Sequence, residues 1–324
     1  MHIAHRVFAI AMLAGVFHIA GVAAQTYPTK PIRLIVPSTP GGSVDTLARS
    51  VGTQMSQRWS QQVLIDNRSG AGGIIAAEAT AKSAPDGYTL IMATVASIAT
   101  NISLVRNLPY DPVRDFTPVS LVATQQLMLL IHPGIAAKSV AELTQLAKAN
   151  PGKLTFASAG SGTGSHLSGE LYKMLAGINL VHVPYKGVGP SFADMLSGRI
   201  SMGFTSVLSG TPHFKAGKLR GLAVTGVHHS VVAPDLPTMA EAGVAGYEAS
   251  TWYGMLGPKG LPQPLLTKIN AEVVAILRIP EVKERIISEG AEPVGSSPEE
   301  FGEFIKAEIA KWAKVIKAAG ITPE

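Results

Sequence analysis

The chain has 324 residues, 46% of them hydrophobic and 15% charged, which describes a compact globular protein and excludes a disordered one. Its formal net charge is +5, but the lysines and arginines are scattered without a run of five or six, so a nucleic-acid footprint is excluded. It has no cysteine, which removes disulfide staples and thiol chemistry.

The N-terminus reads as a leader. His2, His5 and Arg6 precede an apolar run from Val7 to Val22, and Val22-Ala23-Ala24 offers small residues for cleavage. We therefore expect residues 1–24 to be a signal peptide, a mature start at Gln25 and a periplasmic location. No later segment reaches membrane-spanning length.

Ile32 to Val36 reads as a buried strand and Pro37 to Ser43 as a turn. Val44, Leu47, Ala48, Val51 and Met55 then fall on one helix face, with Ser43 the expected N-cap and Asp45 in the first turn. Gln62 to Ile65 is a second strand, and Asn67 to Gly73 opens an alanine-rich helix through Ala81. Pro85-Asp86-Gly87 turns into a third strand, Thr89 to Thr94. Repeated strand–loop–helix units predict a parallel α/β sheet with ligands beyond the carboxyl ends of its strands.

Leu108-Pro109-Tyr110-Asp111-Pro112 breaks the pattern, and a long extended stretch from Thr117 to His132 reads as a crossing into a second domain. Val140, Leu143 and Leu146 mark a helix ended by Asn150-Pro151-Gly152. Leu154 to Ala157 is the next strand. It runs into Ser158-Ala159-Gly160-Ser161-Gly162-Thr163-Gly164-Ser165, with a helix starting near His166. That unit predicts an anion site. Glycines allow a tight turn and a close backbone approach, and the first helical N–H groups lack intrahelical partners.

Val181 to Tyr185, Ile200 to Phe204 and Leu219 to Thr225 supply further strands, and Lys186 to Pro190 leads into a helix through Leu196. Thr251 to Leu256 reads as the return crossing, where Trp252 and Tyr253 either line the pocket or, as aromatic crossings more often do, pack the core. The remainder is helical. Its last helix has Ser297 as N-cap, Pro298 at the first position, Glu300 closing a capping box and Gly320 as stop. Phe301, Phe304, Ile305, Ile309, Trp312 and Ile316 form its core stripe. The expected organisation is a first lobe of residues 25–122 plus 248–324, a second lobe of 123–247, and a cleft between them.

Enzyme motifs are missing. Ser161, Ser165 and Ser168 lack the upstream glycine of a nucleophile elbow, and there is no S-x-x-K, H-E-x-x-H or Walker sequence. Gly160-Ser161-Gly162-Thr163-Gly164 misses the dinucleotide fingerprint, because Ser165 stands where the third glycine belongs. His166 has no companion histidine or carboxylate close by in sequence, so no metal and no cofactor are expected. His228-His229 reads as a surface turn, and Lys186 beside Tyr185 as charge near the cleft. Main-chain amides with Ser and Thr hydroxyls hold a carboxylate reversibly, which points to binding rather than catalysis.

Blocks along the whole mature chain carry a family resemblance. They include Tyr27-Pro28-Thr29-Lys30-Pro31-Ile32, Pro40-Gly41-Gly42-Ser43-Val44-Asp45, Asn67-Arg68-Ser69-Gly70-Ala71-Gly72-Gly73 and Ala84-Pro85-Asp86-Gly87-Tyr88-Thr89. Gly160 to Leu167, Val183-Pro184-Tyr185-Lys186-Gly187 and Pro237 to Gly243 continue the series. In this order they resemble the Bug family, the extracytoplasmic solute receptors of tripartite tricarboxylate transport systems.

The resemblance implies an α/β, two-lobed periplasmic binding protein fold of type II, a flytrap with two crossing segments at its hinge. It also implies a small organic carboxylate ligand, delivery to integral-membrane permease subunits, a monomer and no enzyme activity. Carried over, the first-lobe contacts are Pro40, Gly41, Gly42 and Ser43, with Asp45 bracing the loop, and Thr94, Ser97 and Asn101. Ser161, Gly162, Thr163, Ser165 and His166 close from the second lobe, with Tyr185, Lys186, Gly187 and Thr205. An acid at Asp45 would repel an anion on the helix axis, so its side chain is expected to turn back onto the loop. Family members often carry an acidic residue where Thr205 follows Met202-Gly203-Phe204, which leads us to expect a plain or hydroxylated carboxylate rather than an amino acid. The alternatives are an exported sensor on the same fold and an exported α/β enzyme.

Overall fold

The computed structural model describes residues 27–323 except Ser161 and Lys186; the expected leader and its cleavage point lie outside the described residues. β1 (Ile32–Val36) leads to α1 (Ser43–Trp59). β2 (Val63–Asn67) leads through a 3₁₀ turn at Ala71–Gly73 to α2 (Ile74–Ala81), and β3 (Thr89–Thr94) through a π turn at Ala96–Thr100 to α3 (Asn101–Leu104). β4 (Phe116–Gln125) and β5 (Leu127–Ile131) follow almost without a break, and then α4 (Val140–Ala149). The middle of the chain contains β6 (Thr155–Ser158), α5 (Gly164–Ala176), β7 (Val181–Pro184), α6 (Val188–Leu196), β8 (Met202–Ser206), α7 (Val207–Lys215) and β9 (Arg220–Val224). β10 (Thr251–Pro258), α8 (Gln263–Leu277), α9 (Pro280–Ser288), β11 (Glu292–Pro293) and α10 (Pro298–Ala318) complete it.

The strands form two sheets, one ordered β11-β4-β10-β3-β1-β2 and the other β7-β6-β8-β5-β9. The parallel expectation holds only within each lobe's own repeat: β1 with β2 and β3, and β6 with β7 and β8. Both sheets are mixed. β10 returns antiparallel to β3 and β4, and β5 runs antiparallel to β8 and β9. The extended stretch from Thr117 to His132 is two strands in different sheets, parted at Gln126, so the crossing itself is short. The return is Thr251 onward, in the centre of the first sheet.

Burial explains the elements. Ile32, Leu34, Ile35 and Val36 are buried with Arg33 exposed, and α1 turns Val44, Leu47, Ala48, Val51 and Met55 inward. Gly52 lets α1 approach its sheet closely; a Cβ there would stand 3.1 Å from Ile65. Ser43 is the first residue of α1 and not its cap, since Gly42 holds the cap position without a side-chain bond. On α10 the capping box is complete: Ser297 Oγ accepts Glu300 N–H at 3.1 Å, and Glu300 accepts Ser297 N–H at 2.8 Å. The α10 stripe joins the lobes. Phe301, Ile305 and Trp312 share one buried cluster with Ile91 of the first sheet and with Phe156 and Leu167 of the second lobe.

Candidate functional site

The glycine loop after β6 is built by its own side chains. Gly160 (φ +142°) and Gly162 (φ +75°) take conformations that favour glycine. Thr163 caps α5, its Oγ1 accepting His166 N–H at 3.4 Å and donating to Gly160 O at 2.6 Å. Ser165 Oγ accepts Ala159 N–H at 2.9 Å and lies 3.0 Å from Thr163 Oγ1. His166 is 4% exposed, and its Nδ1 accepts Gly162 N–H at 3.0 Å, which places the ring beneath the loop. The amides of Ala159, Gly160, Gly162, Thr163 and His166 are all taken up in internal bonds, so the loop is fixed by its own groups at the positive end of α5.

That loop borders a cavity of about 200 Å³. Leu127 and Thr251 line it from the two crossings, Ala157 from β6, Thr163 to Ser165 from α5, Ser191 and Met195 from α6, and Gly203 to Ser206 from β8. Thr205 is buried in its wall, and its Oγ1 has no hydrogen-bond partner. Thr100 Oγ1 and Ser168 Oγ, which lie outside the cavity, are likewise buried and unpaired, so the unpaired Thr205 hydroxyl is a candidate contact because of its place in the wall. No charged side chain among the described residues lines the cavity.

The first-lobe loop is locked as well. Asp45 turns back onto it, one carboxylate oxygen accepting Gly41 N–H and Arg49 Nε–H at 2.9 Å each and the other accepting Asn67 Nδ2–H at 2.8 Å. Burial alone would raise the Asp45 carboxyl, but the bonds from Arg49, Gly41 and Asn67 outweigh it and hold the group below its ordinary range. Pro40, Gly41 and Ser43 are left exposed. The other first-lobe candidates are more committed. Thr94 N–H donates to Ser97 Oγ at 3.0 Å, Ser97 Oγ–H donates to Thr94 O at 3.1 Å, and Asn101 Nδ2–H donates to Gly72 O at 3.0 Å.

The structure therefore divides the residues singled out from sequence. Thr163, Ser165 and Thr205 share the 200 Å³ cavity. Asn101 and Gly162 meet instead in a second recess of about 340 Å³ with Gly72 and Leu104. There a Cβ on Gly162 would stand 3.0 Å from Leu104, so the lobes touch across the cleft. Tyr185 donates its phenol to Asp194 at 2.7 Å, while Gly187 N–H donates to Ala159 O at 3.1 Å, tying the β7 exit to the glycine loop. Ser161 and Lys186 lie outside the described residues. Sequence reasoning passed over Leu127, Ser191, Met195, Ser206 and Thr251. The pair Ser191 and Met195, four apart on the helix behind a glycine turn, was the one periodic signal available.

His166 does have a carboxylate nearby, Glu170 one turn on with Oε1 3.8 Å from its Nε2, and sequence reasoning passed over it as it did His182. For His182 the geometry is closer. Its ring stacks on His166 at 3.8 Å between centroids, and its Nε2 is 2.6 Å from Ser158 Oγ. Burial pushes both imidazoles down to about 4, aided for His166 by His182 and then Lys173, and for His182 by Lys173.

Comparison with known proteins agrees with this geometry. Residues 47–321 match the family described as tripartite tricarboxylate transporter family receptor. BugT of Bordetella pertussis is 37% identical over 302 residues, 93% of each chain. Rpa4515 of R. palustris, solved with adipate, is 39% identical with a TM-score of 0.78 over 92% of this chain and 100% of its own. MatC of Rhodopseudomonas palustris, solved with bound malate, is 30% identical with a TM-score of 0.73 over 90% of this chain and 100% of its own. The chain belongs to the tripartite tricarboxylate transporter receptor family, the Bug family of the sequence resemblance, and has its two-lobed solute-receptor fold.

Proposed function

We propose that this family receptor captures a small organic carboxylate between its lobes in the periplasm and delivers it to the membrane permease subunits of a tripartite tricarboxylate-type transporter. The observation that carries the reading is the cavity at the head of α5, lined by Thr163, Ser165, Thr205 and Ser206 with no charged side chain among the described residues. Main-chain amides at that helix start attract an anion, and a neutral hydroxyl orients it. The ligand body lies against Leu127, Met195 and Phe204, which suits a short carbon chain. Adipate and malate in relatives support the same class. With Thr205 rather than an acid at that position, a plain or hydroxylated carboxylate is favoured over an amino acid.

Binding without turnover fits the surroundings of Ser165. The best-placed hydroxyl is held by Ala159 N–H and Thr163, not by a base. We further propose a cleaved leader at 1–24, a monomer, and lobes spanning 25–122 with 248–324 and 123–247. Direct ligand contacts are assigned to Thr163, Ser165 and Thr205, with Pro40 to Ser43 closing from the first lobe.

Calorimetry against adipate, malate, citrate, aspartate and glutamate tests the reading. Saturable binding of a carboxylate without an ammonium group is expected. No binding to any of them, or tight binding of aspartate or glutamate alone, would overturn it.

A further inference from the structure

We propose that His166 and His182 are positioning residues for the glycine loop, and that the loop keeps its binding shape only while the His166 ring is uncharged. The inference rests on the reading that this loop holds the ligand carboxylate. Each ring supports one end of the loop. His166 Nδ1 accepts Gly162 N–H at 3.0 Å, and His182 Nε2 sits 2.6 Å from Ser158 Oγ, which donates to Gly160 O and accepts Gly160 N–H at 3.1 Å each, so His182 Nε2 is the donor to Ser158. The rings lie 3.8 Å apart with 14° between their planes, and Phe156 stacks on His182 at 4.8 Å.

A neutral imidazole accepts at one nitrogen and donates at the other, so His166 carries its proton on Nε2. Protonation would make Nδ1 a donor as well, setting it N–H to N–H against Gly162. Two charged rings in van der Waals contact would also repel each other. The surrounding charges do not relieve this. Glu170 Oε1 is 3.8 Å from His166 Nε2, but Lys173 already pairs with Glu170 at 2.8 Å. Strands β6 and β8 beneath bring no charged side chain. From α10, Lys311 pairs with both Glu308 and Glu248. Tyr185 turns its phenol to Asp194. Burial of both rings points the same way as the geometry.

A ligand that needs the uncharged His166 competes with protons, so its Kd should rise about tenfold per pH unit once that ring titrates. The test uses the purified full chain in two arms. Ring and amide NMR without ligand should show Nε2–H on His166 at pH 7 and a shift of the Gly162 amide that follows His166 titration. Calorimetry with adipate as probe should give a Kd that is flat near neutrality and rises in acid more steeply than protonation of adipate's own carboxyl groups, at roughly pH 4–5, accounts for. His166→Asn, which keeps an acceptor near the Nδ1 position but cannot titrate, should rescue binding at pH 7 that His166→Leu weakens at least tenfold, and should reduce the pH profile to the part that adipate itself contributes. If the fold melts before the rings titrate, the asparagine-against-leucine comparison at pH 7 decides. Equal affinity in the two variants, an unchanged profile in His166→Asn, or a Gly162 amide indifferent to ring titration would overturn the proposal. If adipate fails to bind the parent chain, the ligand reading is at fault for that compound, and the NMR arm alone judges the histidines.

Discussion

Thr205→Val separates the cavity's role in binding from its role in folding, because it exchanges a hydroxyl for a methyl of nearly the same shape. Thr205 is 5% exposed, and its Oγ1 has no partner within the protein. An unpaired buried hydroxyl costs about 1–3 kcal/mol, so valine should leave the fold unharmed or more stable. The gain would appear as a Tm rise of about 2–4 °C for each kcal/mol. Binding should move the other way. A hydroxyl bonded to a carboxylate contributes about 1.5–3 kcal/mol, which corresponds to roughly 10- to 150-fold in Kd. Scanning calorimetry and adipate titration on the same preparation read both effects. A fall in Tm with unchanged affinity would mean that Thr205 is a packing residue, and the cavity would lose its claim to the ligand.

Other perturbations probe the scaffold around it. Asp45→Ala leaves Gly41 N–H and the Asn67 amide without their acceptor, and should cost about 2–4 kcal/mol in urea unfolding. Because the folded Asp45 carboxyl is held low, its contribution is complete above the ordinary aspartate value of roughly 4 and is lost as pH falls through the folded value. Asp45→Asn should remove that acid dependence from the melting curve. Glu308→Ala deprives the Trp252 and Trp312 indole N–H groups of a shared acceptor at 3.0 and 2.9 Å, and removes a buried partner of Lys311. A loss of about 3–5 kcal/mol is expected, milder for Glu308→Gln, and a neutral result would show that water replaces the carboxylate. Gly169→Ala would place a Cβ 2.2 Å from Phe156, beneath the histidine stack. Overpacking should cost about 1–3 kcal/mol despite the helix preference of alanine, and a rise in Tm would refute that reading.

Local patterns told most of the fold, and long-range pairing told the rest. Ile32 to Val36 and Thr89 to Thr94 were legible because buried parallel strands are continuous apolar runs between glycine and proline turns. The α10 capping box was legible because all its atoms lie within four residues. Sheet direction was not, since nothing in Thr251 to Pro258 records that its neighbours are β3 and β4. Nor was the break at Gln126, where one hydrophobic stretch changes sheets. α7 was passed over because Ser-Gly-Thr-Pro within it is a poor helical sequence, held by Ser206 capping Ser209 N–H and by burial of Val207 and Thr211. In the site, the glycines and hydroxyls marked the loop. Which hydroxyls the loop itself occupies depends on distances among Ser158, Gly160, Thr163 and Ser165 that no spacing encodes. The His182 ring reaches His166 from another strand, sixteen positions on, so the pair had no sequence signature.

The place of β10 in the first sheet sets an order of assembly. β3 and β4 do not touch as sheet neighbours; β10 lies between them and pairs with both. A chain emerging N-terminus first, from a ribosome or through a membrane channel, therefore offers β1 to β4 more than a hundred residues before the strand that joins them. The whole second sheet is made in the interval, but the core beneath it is completed by α10, which comes later still. Both lobes therefore depend on the last quarter of the chain: the first for its central strand, the second for the helix that covers its core. A nascent segment ending before Thr251 lacks both.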